Sequence, residues 1–250
     1  MPDTNINYAR KTWNPVVGCT PELPCFERCW ARQLAKRFAA NPSIPATHRE
    51  RYAKAFTVGP QLFPERLNEP LTWKKPQIVL VGSQTDLFHK DVPDVFLHEI
   101  ISAMVEPPEC EKHTFLILTK RPERLVEFFT GLFPNVWLGV SVENQSRMDR
   151  IKTLLTLPHT ERTWVSFEPL LGPIKADLTG IGWVVCGCES GPRHRPMDID
   201  WVMSLRDQCV AANVPFWFKQ AYQYGDWGDD KLRLVHEPLL HCQSYQQRPF

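Results

Sequence analysis

Six short apolar runs recur along the chain, and polar residues follow each one directly. They read QIVLVG, HTFLILT, NVWLGVS, RTWVSF, GWVVCG and VPFWFKQ, and they begin at Gln77, His113, Asn135, Arg162, Gly182 and Val214. Apolar runs with little alternation are typical of strands that are buried on both faces of a parallel sheet. With TWNPVVG from Thr12 as a first strand, the pattern predicts six or seven strands.

Segments with helical spacing of apolar residues lie between these runs, at residues 93–105, 121–132, 144–157 and 198–214. Pro122 suits the first turn of one helix and Gly131 its end, and Asp198 or Asp200 suits the N-cap of the last helix. Alternating strands and helices predict parallel strands joined by right-handed crossovers. The predicted fold class is therefore α/β, a partial (β/α)6-7 barrel of the TIM-like type.

A doubly wound open sheet is the alternative fold. Neither a G-x-G-x-x-G motif after the first strand nor a P-loop motif is present to support it. We expect residues 1–220 to form the barrel and residues 221–250 to form a C-terminal extension packed on it.

The ends of the predicted strands carry most of the candidate chemistry. In barrels the active site lies at the carboxyl ends of the strands. Loops are polar in any case, but Glu143, Glu168 and Glu189 follow three strands at matching positions. This repetition indicates an active site at the open end of the barrel, where the carboxyl ends of the strands meet. The polar residues at these ends are Ser83, Gln84, Asp86, His89, Thr119, Lys120, Arg121, Ser141, Glu143, Asn144, Ser166, Glu168, Glu189, Ser190, Lys219 and Gln220.

Charge and hydropathy narrow the class of protein. The chain has 29 basic and 28 acidic residues, so any binding of nucleic acid must use a local patch rather than a global positive field. The N-terminus has no apolar segment of a secretory signal, and no apolar run approaches the roughly 18 residues that span a bilayer. We therefore expect a cytoplasmic protein, in which clustered cysteines are metal ligands or catalytic groups rather than disulfides.

Three cysteines, Cys19, Cys25 and Cys29, follow the first predicted strand with the spacing C-x5-C-x3-C. A structural zinc site takes four ligands. Cys186 and Cys188, which alternate along a strand, are the candidates to complete such a site. The other interpretation is a [4Fe–4S] cluster with three protein thiolates, whose fourth iron is left to bind S-adenosylmethionine.

Several motifs together resemble one family of phage and prophage proteins, a domain of unknown function that is grouped with radical S-adenosylmethionine enzymes. They are TWNPVVGC, SQTDLFH, HTFLILTKRPER, NVWLGVSVENQ, SFEPLLGPI, CESGPRHRPMD, WVMSLRDQC and VPFWFKQ. The resemblance implies a partial barrel of the radical SAM type, with a [4Fe–4S] cluster on Cys19, Cys25 and Cys29 and S-adenosylmethionine across the strand ends. The family pattern has two residues between the last two cysteines, whereas this chain has three.

Some members of that family are linked to hypermodification of phage DNA, in which an amino acid attached to the methyl carbon of thymine is rearranged from an N-linked to a C-linked form. The implied partners are modified DNA and an electron donor such as flavodoxin or ferredoxin, with no membrane. The alternative functions are a zinc-dependent nucleic-acid hydrolase and a structural metal-binding protein.

Within this scheme each candidate residue has an expected role. Ser83 and Asp86 contact the methionyl ammonium or carboxylate group, and Lys120 pairs with the carboxylate. Ser141 and Glu143 hold the ribose hydroxyls. Glu168 and Glu189, with Lys120, are the predicted catalytic residues. The loop with Arg193, His194 and Arg195 is either a DNA-phosphate contact or a solvated turn.

Overall fold

The computed structural model describes residue 4 and residues 6–20, 28–191, 194–224, 232–236, 238–240 and 243–250. The chain divides into two compact units. Unit 1 consists mainly of Ala9–Leu125 and Phe133–Trp137, and unit 2 consists mainly of Leu138–Phe250. The short segments Asn5–Tyr8 and Val126–Leu132 belong to unit 2.

The strands of unit 1 form a parallel set and a small antiparallel pair. They are β1 (Lys11–Trp13), β2 (Val16–Val17), β3 (Gln61–Leu62), β4 (Ile78–Val81) and β5 (Thr114–Thr119). β4 lies between β1 and β5 and is parallel to both, whereas β2 pairs with β3 in the antiparallel direction. The apolar runs of β4 and β5 are almost entirely buried, as expected for strands covered on both faces.

The predicted first strand is divided in two. Asn14 and Pro15 separate β1 from β2, because proline has no N–H to continue a ladder and the Asn14 side chain is buried. The Asn14 Oδ1 atom accepts hydrogen bonds from Ser83 Oγ at 3.1 Å and from the Gln84 backbone N–H at 3.0 Å. After the division the chain pairs with β3 rather than β4, and the cysteine segment, residues 19–29, begins just after β2.

Among the described residues of unit 1, four α-helices begin: α1 (Trp30–Ala40), α2 (Ala46–Lys54), α3 (Asp94–Val105) and α4 (Pro122–Phe128). α3 and α4 correspond to predicted helices, and α4 begins at Pro122 but ends before Gly131. The pair α1 and α2 was not predicted. Its apolar side is built largely from alanines, with Phe38 and Tyr52 in edge-to-face contact at 5.0 Å between ring centroids.

Unit 2 contains a second parallel set of strands. β6 (Val136–Ser141) begins in unit 1 and continues into unit 2, and it is followed by β7 (Thr163–Phe167), β8 (Trp183–Gly187), β9 (Phe216–Tyr224) and β10 (Leu232–His236). Neighbouring strands from β6 to β9 pair in parallel, and β10 pairs with β9 in the antiparallel direction. The predicted α/β class with mostly parallel strands is therefore confirmed.

The part of unit 2 that the structure describes has two α-helices, α5 (Asp149–Leu154) and α6 (Ile199–Ala211). The Asp198 side chain accepts a hydrogen bond from the Asp200 backbone N–H at 2.9 Å, so Asp198 is the N-cap that the sequence offered. Within the described part of the chain, no helix has the length and apolar character needed to cross a membrane.

The last residues of the chain contact β9. The Phe218 N–H donates to the Tyr245 carbonyl at 2.7 Å, and the Gln247 N–H donates to the Phe216 carbonyl at 3.1 Å. β9 itself runs through the predicted boundary at residue 220 and ends at Tyr224.

Candidate functional site

Gly18 fixes the start of the cysteine segment. Its N–H donates to the Gln84 carbonyl at 2.9 Å, and its carbonyl accepts from Thr85 Oγ1 at 2.6 Å. Its φ is +108°, and a Cβ at this position would lie 1.9 Å from the Ala55 carbonyl oxygen. Only glycine fits this backbone, which also lets the Cys19 N–H donate to the same Ala55 carbonyl at 3.0 Å.

Cys19 and Cys29 are partly exposed thiols outside any disulfide, and they lie at the two ends of the cysteine segment. Both pack against one apolar cluster, which consists of Val17, Ala31, Ala35, Tyr52, Ala55, Phe56 and Phe63. Cys29 immediately precedes α1, and its side chain makes no capping hydrogen bond. Cys25, the third predicted ligand, falls within residues 21–27 and therefore outside the described residues.

The Asp86 carboxylate is the centre of a hydrogen-bonded group at the ends of β4 and β5. One oxygen accepts from Thr119 Oγ1 at 2.6 Å and from the Phe88 N–H at 3.2 Å. The other accepts from the Lys120 N–H at 3.0 Å and from Arg121 Nη1 at 2.9 Å. This buried carboxylate accepts four hydrogen bonds, and through them it fixes the position of the residues before α4 and of the Arg121 guanidinium.

Arg121 links this group to the cysteine segment. Its Nη1 atom lies 3.9 Å from Cys19 Sγ, and its Nη2 atom lies 3.4 Å from the Thr20 carbonyl oxygen. A guanidinium is always charged and stabilises a nearby thiolate. Asp86, Arg121 and Cys19 thus form a chain of contacts that ends at a predicted cluster ligand.

His89 contacts Thr20 of the same segment. Its ring is completely buried, its Nδ1 atom accepts from the Asp91 N–H at 3.1 Å, and its Nε2 atom contacts Thr20 Oγ1. Burial, and secondarily the charge of Arg121, lowers the pKa of His89. The Thr20 N–H also donates to His89 Nε2 at 3.3 Å, so the ring ties Thr20 to the turn after β4.

Ser83 and Lys120 lie at the same strand ends. The Ser83 hydroxyl donates to Asn14, and the Lys120 backbone binds Asp86. The structure therefore brings together Cys19, Ser83, Asp86 and Lys120 of the predicted site residues within unit 1. Gln84 adds a buried polar group, since its Oε1 atom has no hydrogen-bond partner among the described residues.

Ser141 and Glu143 lie at the end of β6 in unit 2. The Glu143 side chain is completely buried, and its Oε2 atom accepts from Arg150 Nη1 at 2.9 Å. The same Arg150 nitrogen donates to the Ser141 carbonyl at 2.7 Å. This arrangement makes Glu143 and Arg150 a buried ion pair that joins the end of β6 to α5.

Glu168 follows β7 and forms a compact polar group with two strands. Its Oε2 atom accepts from Ser166 Oγ at 2.9 Å, and its Oε1 atom accepts from Lys219 Nζ at 2.6 Å. The Lys219 ammonium also lies 5.4 Å from the centroid of the buried Tyr8 ring. Burial, and secondarily the charge of Glu168, raises the pKa of Tyr8 well above its usual value.

Glu189 follows β8 and pairs with Arg195. Its Oε2 atom accepts from the Arg195 N–H at 2.9 Å and from Nε at 3.0 Å, and Nη2 reaches the other oxygen. Arg195 is therefore committed to a carboxylate in this structure. His194 stacks on Tyr222 with 3.5 Å between ring centroids, and Arg193 lies outside the described residues.

One family comparison covers both units. The chain matches the model of a family described as a protein of unknown function (DUF5131) over residues 3–247. The chain belongs to the DUF5131 family. Comparisons with curated proteins and with solved structures give no match.

Cys186 and Cys188 of this DUF5131 protein are both buried. Burial, followed by the charge of Glu168, raises the pKa of Cys186 well above its usual value and that of Cys188 to about 12. This environment favours the neutral thiol, whereas a metal binds the thiolate. Among the described residues, no group of three histidines, cysteines or acids is arranged to hold a metal ion.

Three charged residues of the DUF5131 chain complete these groups but had no predicted role. Arg121 and Lys219 stand at strand ends in the sequence, so their positions were a usable signal. Arg150 lies in a helix, and only the fold shows that it reaches Glu143.

Proposed function

We propose that this DUF5131 protein is a radical S-adenosylmethionine enzyme in which Cys19, Cys25 and Cys29 hold a [4Fe–4S] cluster. The observation that carries the proposal is the convergence of Cys19 and Cys29 on one apolar cluster, with the Arg121 guanidinium 3.9 Å from Cys19 Sγ. When bound, the cluster and S-adenosylmethionine would supply a 5′-deoxyadenosyl radical that abstracts hydrogen from a substrate.

The donor set fits such a cluster on chemical grounds. Thiolates are the usual ligands of iron–sulfur clusters, and Cys19 and Cys29 are partly exposed thiols outside any disulfide. The positive charge of Arg121 at Cys19 and the N-terminal end of α1 at Cys29 both favour negative charge on the ligands. Gly18 and the apolar cluster position the two sulfurs and exclude water from one side.

In unit 1 we assign positioning roles to the group around Asp86. Asp86 orients Arg121, and Arg121 stabilises the Cys19 thiolate. Ser83 and Lys120 keep their predicted roles as contacts for the methionyl group, because both lie at the strand ends next to this group. Each of these roles can be tested by a single substitution.

In unit 2 the carboxylates differ in accessibility. Glu168 and Glu189 retain small exposed fractions, and each is paired with a cation, so both suit contacts to a polar substrate. Ser141 and Glu143 were predicted to hold the ribose. The complete burial of Glu143 against Arg150 supports a positioning role for Glu143 instead, and a Glu143→Gln variant separates the two roles.

We propose a modified nucleobase in phage DNA as the substrate, with an amino-acid-modified thymine isomerised from an N-linked to a C-linked form. One C–N bond is broken, one C–C bond is formed, and the abstracted hydrogen returns, so the product has the same mass. The resemblance noted above supports this substrate, and it supports a partial barrel of the radical SAM type as the full architecture. Parallel pairing within each unit is compatible with that architecture.

The cluster is tested by anaerobic reconstitution with iron and sulfide. We expect a brown protein with about four iron atoms per chain. Cys19→Ala, Cys25→Ala and Cys29→Ala should each lose the iron, whereas Cys110→Ala, which removes a buried thiol elsewhere in unit 1, should retain it. A colourless protein with stoichiometric zinc would contradict the proposal and favour the zinc-dependent hydrolase or structural-metal alternatives.

A further inference from the structure

The α1–α2 hairpin, residues 28–57, has a large excess of positive charge. It contains seven lysines and arginines, and Glu50 is its one acidic residue. The whole chain, by contrast, has a net charge of +1. The seven basic residues are Arg28, Arg32, Lys36, Arg37, Arg49, Arg51 and Lys54.

Two of these basic residues pair with acids. Arg51 pairs with Glu65 at 2.7 Å, and Lys54 pairs with Glu50 at 2.6 Å. Among the described residues, no acid lies within ion-pair distance of Lys36 or Arg37, and both are exposed on α1. The hairpin therefore presents a positive field to solvent.

A groove of about 390 Å³ runs between the two helices. Its inner surface is apolar and includes Ala35, Tyr52 and Phe56, while Arg32 and Lys36 line it from α1. Small side chains such as Ala39 and Ala53 leave the space open. The groove thus combines an apolar floor with cationic side chains.

This combination selects a protein partner over a nucleic acid. A DNA duplex would satisfy the cations, but its outermost groups are charged phosphates, which do not suit an apolar floor. An acidic protein can place an apolar side chain in the groove and its carboxylates beside Lys36 and Arg37, as the apolar core and polar rim of protein interfaces require.

The groove is also close to the proposed cluster. α1 begins directly after Cys29, and Lys36 lies about 10 Å further along the helix axis. We infer that the α1–α2 hairpin is the docking surface for an acidic electron-donor protein of the flavodoxin or ferredoxin class. This inference rests on the proposed function. The donor is oxidised by one electron and the cluster is reduced by that electron, with no transfer of atoms.

Binding is tested first, with purified flavodoxin as the probe and titration calorimetry as the measurement. We expect wild-type affinity to fall at least about tenfold between roughly 50 mM and 300 mM salt, because screening weakens exposed charges. Lys36→Glu/Arg37→Glu should weaken binding at least about tenfold at low salt. The matched control Lys74→Glu/Lys75→Glu, which changes the same charge on exposed residues outside the hairpin, should leave it unchanged.

A second variant tests the groove without changing charge. Ala53 is exposed and lines the groove, so Ala53→Trp should occupy the space and weaken flavodoxin binding while circular dichroism stays native. The inference would be overturned if both Lys36→Glu/Arg37→Glu and Ala53→Trp bound flavodoxin with wild-type affinity. If these variants instead lost binding to a DNA duplex of about 20 base pairs but bound flavodoxin like wild type, the hairpin would be a nucleic-acid surface and the inference would be overturned.

The choice of reductant separates this inference from the proposed function. With dithionite, wild type and Lys36→Glu/Arg37→Glu should cleave S-adenosylmethionine equally, whereas with flavodoxin the variant should be slower by at least about tenfold. No cleavage by wild type with dithionite would overturn the proposed function. Equal rates of the two proteins with flavodoxin would overturn the docking surface alone.

Discussion

Nη1 of Arg121 lies 3.9 Å from Sγ of Cys19. The same nitrogen donates to a carboxylate oxygen of Asp86 at 2.9 Å, so Asp86 positions the guanidinium that lies beside a proposed cluster ligand. This contact joins the end of β5 to the cysteine segment. It also makes the electrostatics of Cys19 testable through Asp86, without altering the cysteine.

Asp86→Asn should destabilise the apo protein and lower the iron content after reconstitution. The variant replaces a nearly buried carboxylate that accepts four hydrogen bonds, and we expect a loss of about 1.5–3 kcal/mol in the free energy of unfolding. Urea unfolding measures the loss. Asp94→Asn, whose carboxylate is 71% exposed beside Arg124, should cost less than about 1 kcal/mol. Equal effects of the two variants would show that Asp86 has no special role.

Gly18→Ala should displace Cys19 and destabilise unit 1. The added methyl group would overlap the Ala55 carbonyl, and alanine is strained at a φ of +108°. We expect a loss of at least about 3 kcal/mol, measured by thermal or urea unfolding. Gly172→Ala is the control, because no atom lies within 4 Å of its Cβ position. A Gly18→Ala protein with wild-type stability and iron content would refute this account of the turn.

Glu143→Gln distinguishes a ribose ligand from a structural ion pair. If Glu143 holds Arg150 in place, the variant should lose about 3–5 kcal/mol of stability, because it leaves a buried guanidinium without its counter-charge. Urea unfolding and S-adenosylmethionine binding are measured on the same protein. A variant with native stability and lost S-adenosylmethionine binding would instead support the ribose role predicted from the sequence.

The buried thiols of unit 2 predict a loss of stability at alkaline pH. Burial raises the pKa of Cys209 from 9.0 to about 12 and, together with the charge of Glu168, that of Cys188 to about 12. Above pH 9.0 the unfolded chain releases thiol protons that the folded protein retains. The stabilisation is therefore complete below that pH and is lost as the pH rises, by about 1.4 kcal/mol per pH unit for each thiol.

Cys209→Ala provides the comparison for the alkaline loss. The variant removes one buried thiol, so the fall in unfolding free energy between about pH 9 and about pH 11 should be less steep than in wild type. Urea unfolding at a series of pH values measures both slopes. Identical slopes would mean that the Cys209 thiol does not contribute to the loss of stability at alkaline pH.

The strands were predictable because their sequences leave little choice. β4, β5, β7 and β8 are continuous apolar runs, and each is buried as such a run predicts. The Asp198 cap was also predictable, because its side chain bonds its own helix. These features depend on local sequence or on the periodicity of a single element.

The α1–α2 hairpin and the ion pairs were not predictable in the same way. The helices bury mainly alanines, which give a weak apolar signal in a segment rich in arginine and lysine. The sequence indicated acids at strand ends, but not that Arg150 returns to Glu143 or that Arg195 encloses Glu189. Such contacts depend on how a helix or loop packs over the strand that precedes it.

Electron paramagnetic resonance of the anaerobic, dithionite-reduced protein tests the central claim most directly. The account predicts the signal of a reduced [4Fe–4S] cluster in wild type and in Cys110→Ala, and its loss in Cys29→Ala. It also predicts that S-adenosylmethionine changes the wild-type signal, because the open iron binds it. A signal that S-adenosylmethionine leaves unchanged, or a cluster that persists in Cys29→Ala, would contradict the account.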